Sequence, residues 1–109
     1  MTVADWAAMM QEVNGVFTVR VWGEIDLANA HRFREYLLGA VSMAHDGVVV
    51  DLCGVRHLDS SAVHALVAAR AAADLREVRF EVAADGLARK VIDLVGLTSL
   101  LRDIPEPAA

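Results

Sequence analysis

Residues 48–70 read VVVDLCGVRHLDSSAVHALVAAR, and the rest of the chain takes its arrangement from them. The β-branched run Val48-Val49-Val50-Asp51-Leu52-Cys53 is too apolar for an open surface and predicts a central parallel strand covered on both faces. Gly54 breaks the run and Val55 to Leu58 read as a short connection. Asp59-Ser60-Ser61 then sets side-chain oxygens where a helix must start. In that helix Val63, Leu66 and Val67 are spaced to face the sheet. The alanines at 62, 65, 68, 69 and 71–73 favour the helical state with little side-chain entropy to lose.

Upstream, Val16-Phe17-Thr18-Val19-Arg20-Val21-Trp22 alternates β-formers and follows Asn14-Gly15, a strong hairpin signal. The segment from Val3 to Glu12 is therefore expected to be an edge strand paired antiparallel with it. Gly23 is expected to end the second strand. Glu24-Ile25-Asp26 then leads to a helix whose Phe33, Tyr36, Leu37, Ala40 and Val41 form an apolar stripe, with Asp26 or Asn29 as its cap. His45-Asp46-Gly47 turns the chain into the central strand.

Downstream, Glu77 to Val82 alternates charged and apolar residues, as a strand with one solvated face near a sheet edge does. Asp85 can cap a third helix with a stripe of Leu87, Val91, Ile92, Leu94 and Val95, and Gly96 can stop it in the left-handed conformation. Leu97 to Ile104 is one more short element. The order β-β-α-β-α-β-α predicts an α/β fold, a mixed four- to five-stranded sheet with helices packed on it. One domain is expected over residues 1–104, with 105–109, Pro-Glu-Pro-Ala-Ala, as a mobile tail.

The composition bounds what such a domain does. At 109 residues the chain holds one compact domain, and 56% apolar residues argue for a folded core. No apolar run reaches the ~18 residues of a membrane helix. The N-terminus lacks a secretion signal, and a single cysteine forms no internal disulfide, so the expected setting is the cytoplasm, without membrane insertion. Fifteen acidic against ten basic side chains argue for a protein partner rather than a nucleic acid. His31, His45, His57 and His64 lack ligand spacing, so neither metal nor cofactor is expected, and Cys53 reads as a small core residue. A Ser-His-Asp hydrolase built on Ser60 lacks the GxSxG elbow, and no phosphate-binding loop or kinase motif is present, so the chain is not expected to be an enzyme.

From spacing alone, Ser60 is first a helix cap and only then a site. Three segments alter that balance: Gly23-Glu24-Ile25-Asp26; Val48-Val49-Val50-Asp51-Leu52 with Leu58-Asp59-Ser60-Ser61; and Ala83 to Leu97, ending Leu94-Val95-Gly96-Leu97. In order and spacing they resemble the signatures of the STAS domain, and the chain looks most like the one-domain bacterial anti-sigma factor antagonists. The resemblance implies a phosphorylated serine at Ser60 and a functional carboxylate at Asp26. It implies as partners an anti-sigma factor that is also the serine kinase and brings ATP, and a separate phosphoserine phosphatase. An unphosphorylated STAS scaffold, in a signalling assembly or on a membrane transporter, is the alternative. The sequence departs from the family at Ala62 and His64, where small glycines are usual, and at Asp74-Leu75, where Gly-Gly is frequent.

If the second and third strands run parallel, Asp26 and Ser60 emerge on the same rim of the sheet. The expected partner-binding residues are then Asp26, Asp59, Ser61 and His64, around a phosphoacceptor at Ser60. Ser61 lies one position further into the helix and its hydroxyl is expected to bond locally to backbone, and Asp59 is expected to act mainly as a cap. His64 is one helical turn beyond Ser60 with its side chain leaning back toward it. It is either an exposed surface histidine or, when protonated, a partner for the phosphate.

Overall fold

The computed structural model describes residues 6–101. Strands β1 (Trp6–Val13) and β2 (Val16–Ile25) precede helix α1 (Ala30–Met43), and β3 (Gly47–Leu58) leads into α2 (Ser60–Leu75). β4 (Arg79–Ala83) and α3 (Gly86–Leu94) follow, then a 3₁₀ turn at Thr98–Leu100. The sheet order is β1-β2-β3-β4. β1 pairs antiparallel with β2, and β3 pairs parallel with both β2 and β4. The mixed sheet, the central parallel strand and the edge position of the fourth strand are as the sequence predicts. Asn14 and Gly15 both take positive φ, 52° and 85°, as a tight type I′ hairpin requires. The expected tail at 105–109 lies outside the described residues.

Two strand ends differ from expectation, for one shared reason. β3 does not stop at Gly54 but runs on to Leu58, and β2 passes Gly23 to reach Ile25, so that Ile25 pairs with Leu58. The register shifts between Arg20 and Trp22 and again between Gly23 and Glu24. Gly54 lies against the indole of Trp22, and a Cβ at Gly54 would overlap the ring. The glycine thus makes room for a neighbouring strand's side chain instead of breaking its own strand.

The central strand is also covered on one face rather than two. Val48, Val50 and Leu52 are buried in a single cluster with Phe33, Leu37, Leu66 and Ile92 of the three helices. Val49, Asp51 and Cys53 on the alternate face stay half-exposed, and there Arg20 pairs with Asp51 at 3.7 Å. Cys53 is therefore not a core residue. Partial burial, followed by the hydrogen bond and the negative charge of Asp51, pushes its thiol pKa up to about 12.

The helices bury much of what the spacing predicts, with exceptions. In α1, Phe33, Leu37, Ala40 and Val41 are buried, and Phe33 receives Trp6 edge-to-face at 6.2 Å. In α2, Val63 and Leu66 face inward, but Val67 is 43% exposed. The rest of the buried face is Ala62, Ala65, Ala69 and Ala73, whose small side chains let α2 pack closely on α1. α3 buries Ala88 and Ile92, while Leu87, Leu94 and Val95 face outward. Gly96, at φ 80°, ends α3 in a Schellman turn, with the N–H of Leu97 on the carbonyl of Ile92 and that of Gly96 on Asp93. Asp85 occupies the N-cap position without making a side-chain cap bond.

Candidate functional site

The parallel pairing of β2 with β3 brings two loops to one rim. Ile25 and Leu58 are paired strand ends, and the N–H of Asp59 donates to the carbonyl of Ile25 at 3.2 Å, tying the loops together just beyond the sheet. The next residues are Asp26 on one strand and Asp59, Ser60 and Ser61 on the other. Asp26 and Ser60 therefore leave the sheet on the same side, as the sequence predicts for parallel strands.

On the β2 side the chain makes a compact polar turn. The N–H of Asp26 donates to Oδ1 of Asn29 at 3.0 Å, and its own Oδ1 accepts from the N–H of Ala28 at 3.0 Å. Nδ2 of Asn29 reaches back to the carbonyl of Glu24 at 2.9 Å. Asn29 holds the N-cap position of α1 but gives no side-chain cap bond, because both ends of its amide are used in the loop. The first free N–H groups of α1 turn instead to the Asp26 carbonyl, from Asn29 at 3.2 Å and Ala30 at 2.8 Å. Asp26 is half-buried, and Leu27 beside it is 81% exposed.

On the β3 side Asp59 is the cap. Its Oδ1 accepts the N–H of Ser61 at 3.0 Å and of Ala62 at 3.2 Å, and it also takes the Ser61 hydroxyl. The Ser61 hydroxyl is the main influence that holds the Asp59 carboxyl below its ordinary pKa. Burial is the next largest influence and opposes it, and the backbone N–H groups of Ala62 and Ser61 and the charge of His57 add smaller effects in the same direction as the hydroxyl. Ser60 is the first residue of α2, is exposed, and uses its hydroxyl in no hydrogen bond among the described residues. Its side chain is thus not the cap. The capping role of Asp59 is as expected, and the Ser61 hydroxyl bonds locally, but to the Asp59 carboxylate rather than to backbone.

His64 is exposed and faces α1 across a groove of about 370 Å³. Ala30, Ala65 and Ala68 line the bottom of this groove, His31 and Arg34 stand on the α1 side, and Ser61 closes one end. Nothing in the sequence marks His31 and Arg34, because only the packing of α1 on α2 brings them into one groove with His64. Among the described residues no three His, Cys, Asp or Glu side chains gather as a metal-ligand set. No described helix is long and apolar enough to cross a membrane.

A family model for the STAS domain matches residues 7–105. Among solved structures, the fold is similar to an anti-sigma factor antagonist from Mycobacterium paratuberculosis, at 27% identity and a TM-score of 0.80, covering 93% of this chain and 87% of that one. It is also similar to the anti-sigma factor antagonist SpoIIAA in its unphosphorylated form, at 20% identity and a TM-score of 0.77, covering 92% and 90% of the two chains. The phosphorylated form of SpoIIAA, a Bacillus cell fate determinant, matches at 20% identity and a TM-score of 0.70, over 92% and 93%. Below 25% identity such likeness speaks to the fold. No curated protein matches the sequence.

Proposed function

The chain belongs to the STAS domain family, and from that premise we propose that it is an anti-sigma factor antagonist, a cytoplasmic binding module and not an enzyme, switched off by phosphorylation of Ser60. Its partner is an anti-sigma factor that also acts as a serine kinase; binding it frees a sigma factor for transcription. In the kinase step the Ser60 oxygen bonds to the γ-phosphorus of ATP held by the partner, the bond from that phosphorus to the bridging oxygen breaks to release ADP, and the hydroxyl proton passes to a base of the kinase. A separate phosphatase returns the serine by hydrolysis.

The observation that supports this reading is the division of labour at the start of α2. Asp59 caps the helix, Ser61 is tied to Asp59, and Ser60 is left exposed with an unengaged hydroxyl, on the same rim of the sheet as Asp26. A phosphate there adds roughly −1.5 to −2 charge at a helix start, whose dipole tolerates an anion, so the fold survives. A partner surface that seats the neutral hydroxyl must instead desolvate an anion next to Asp59, at a cost of several kcal/mol. A loss of ~3 kcal/mol weakens a complex about a hundredfold.

The reading is tested by co-expression with the candidate kinase. Wild type should run as two charge forms on an isoelectric gel and Ser60→Ala as one. Ser60→Ala should also hold the anti-sigma factor in the presence of ATP, while wild type is released. A single unmodified band for wild type, with a complex indifferent to ATP, would return the chain to the unswitched scaffold class.

A further inference from the structure

We propose that the groove between α1 and α2 docks an acidic segment of a protein, with carboxylate side chains set beside a small apolar residue. On the antagonist reading, on which this assignment of the donor rests, the anti-sigma factor supplies that segment.

The case rests on charge and shape together. The chain carries a formal charge of −5, yet every ionisable side chain lining this groove is basic or can become so: His31 and Arg34 from α1 and His64 from α2. The adjacent acid on α1, Glu35, lies outside the lining, within 4.0 Å of Nε2 of His31. Arg34 is exposed, keeps its charge at all working pH values, and offers the planar fork that meets a carboxylate with two hydrogen bonds. Between these side chains Ala30 and Ala65 are buried and Ala68 half-buried, so the bottom of the groove is apolar and low. Such a trough receives a small apolar side chain, while the flanking cations fix the carboxylates on either side. A nucleic-acid strand fits less well. It needs a run of permanent cations along its backbone, and here there is one on a chain of net negative charge.

The position of the groove couples it to the switch. Ser61 closes its end, and Ser60, the preceding residue, is one helical turn from His64. A phosphate on Ser60 then brings negative charge to the end of the groove where the partner's carboxylates sit. It repels them and draws His64 to itself, so one modification acts twice against the same contact.

The test uses two short helical peptides with one Leu/Ala face, one carrying Glu and its twin Lys at the flanking positions. They are titrated into the isotope-labelled protein at low salt and followed by amide shifts. The Glu peptide should move Ala30, Arg34, Ala65 and Ala68 and bind about tenfold tighter than its twin, as one added charge pair allows. Arg34→Glu should abolish that preference, and Arg34→Gln should reduce it, both variants keeping the wild-type spectrum elsewhere. Equal binding of the twins, shifts confined to other surfaces, no shift at all, or tighter seating of a single-stranded oligonucleotide would each overturn the proposal. A second arm measures binding to the anti-sigma factor. Normal binding by Arg34→Glu alongside weakened binding by Ser60→Asp would reject the groove and keep the antagonist. A Glu peptide seated in the groove of a protein that binds no anti-sigma factor would keep the groove and reject the antagonist.

Discussion

The hydroxyl of Ser61 and the N–H groups of Ser61 and Ala62 all converge on one oxygen, Oδ1 of Asp59. The cap at the start of α2 is complete without Ser60, and two adjacent serines consequently have different work. Ser60→Ala should shift stability by no more than ~0.5 kcal/mol, as for a surface site outside such a network. Ser61→Ala, which removes a bond to a carboxylate, should cost about 1 kcal/mol. Mass spectrometry of protein modified by the kinase should find phosphate on Ser60 in both wild type and Ser61→Ala. Phosphate on Ser61, persisting in Ser60→Ala, would reverse the assignment.

Asp59 itself should give the domain an acid-sensitive component of stability. Its carboxyl pKa is lowered in the folded chain, chiefly by the Ser61 hydroxyl. The associated stability is therefore present above the unfolded pKa, near ~3.9, and is lost as pH falls through the lower folded value. Asp59→Ala should cost about 1 kcal/mol at neutral pH through the lost cap. Melting curves of wild type and Asp59→Asn, which keeps an oxygen acceptor, should lie apart at neutral pH and converge in strong acid. Curves with a constant separation down to pH ~2 would mean that the Asp59 charge adds nothing to the cap.

Gly54 lies against the Trp22 ring, and any Cβ there meets it. Gly54→Ala should destabilise the domain by ~1–3 kcal/mol, as overpacking does, and should alter Trp22 fluorescence. Adding Trp22→Ala should recover much of that loss, so the two changes are strongly non-additive. Additive losses would show that the glycine serves its own backbone and not the indole.

The same pair explains where sequence reasoning stops. The hairpin at Asn14-Gly15, the stripe of α1, the Gly96 terminator and the aspartate cap were legible because each depends on residues close in sequence. Gly54 looked like a break because its reason lies on another strand, Trp22, more than thirty positions upstream. The exposure of Val67 and of the outward leucines of α3 does not follow from the sequence, because helical spacing marks apolar residues without saying which ones find a neighbour. The rim of Asp26 and Ser60 followed from strand direction alone. The groove did not, because His31 and Arg34 meet His64 only once α1 lies on α2.

Asp26 should matter for binding more than for folding. Among the described residues its Oδ1 accepts the N–H of Ala28 alone, an interaction that an asparagine oxygen can replace, and its backbone contacts to Asn29 do not depend on the side chain's charge. Asp26→Asn should leave the melting temperature within ~2–4 °C of wild type, as for a surface change of at most ~0.5 kcal/mol. Its affinity for the anti-sigma factor, or its phosphorylation rate, should change severalfold. A large drop in melting temperature with normal switching would make Asp26 a loop brace and nothing more.

The departure at His64 gives the last prediction. His64 is exposed, one turn beyond Ser60, and shares its groove with His31 and Arg34 of α1, while Asp59 and Ser61 stand at the start of its own helix. A helical side chain leans toward the N-terminus, which carries this imidazole toward the Ser60 position. A histidine gains its proton just below neutrality, so the pairing of an imidazolium with phosphoserine should strengthen as pH falls from 8 to about 6. Arg34 keeps its charge over this range, so it contributes a constant attraction and no pH dependence. His31 stands in the same groove, which makes His31→Gln the necessary companion to His64→Gln. With phosphatase held in excess and its own pH response measured on a phosphopeptide, wild type should lose phosphate more slowly than His64→Gln at pH 6. The two should match at pH 8, and His31→Gln should behave as wild type. If His31→Gln alone removes the acid slowing, the contact belongs to α1. If all three proteins lose phosphate at one rate throughout, the histidine at this position has no part in the lifetime of the switch.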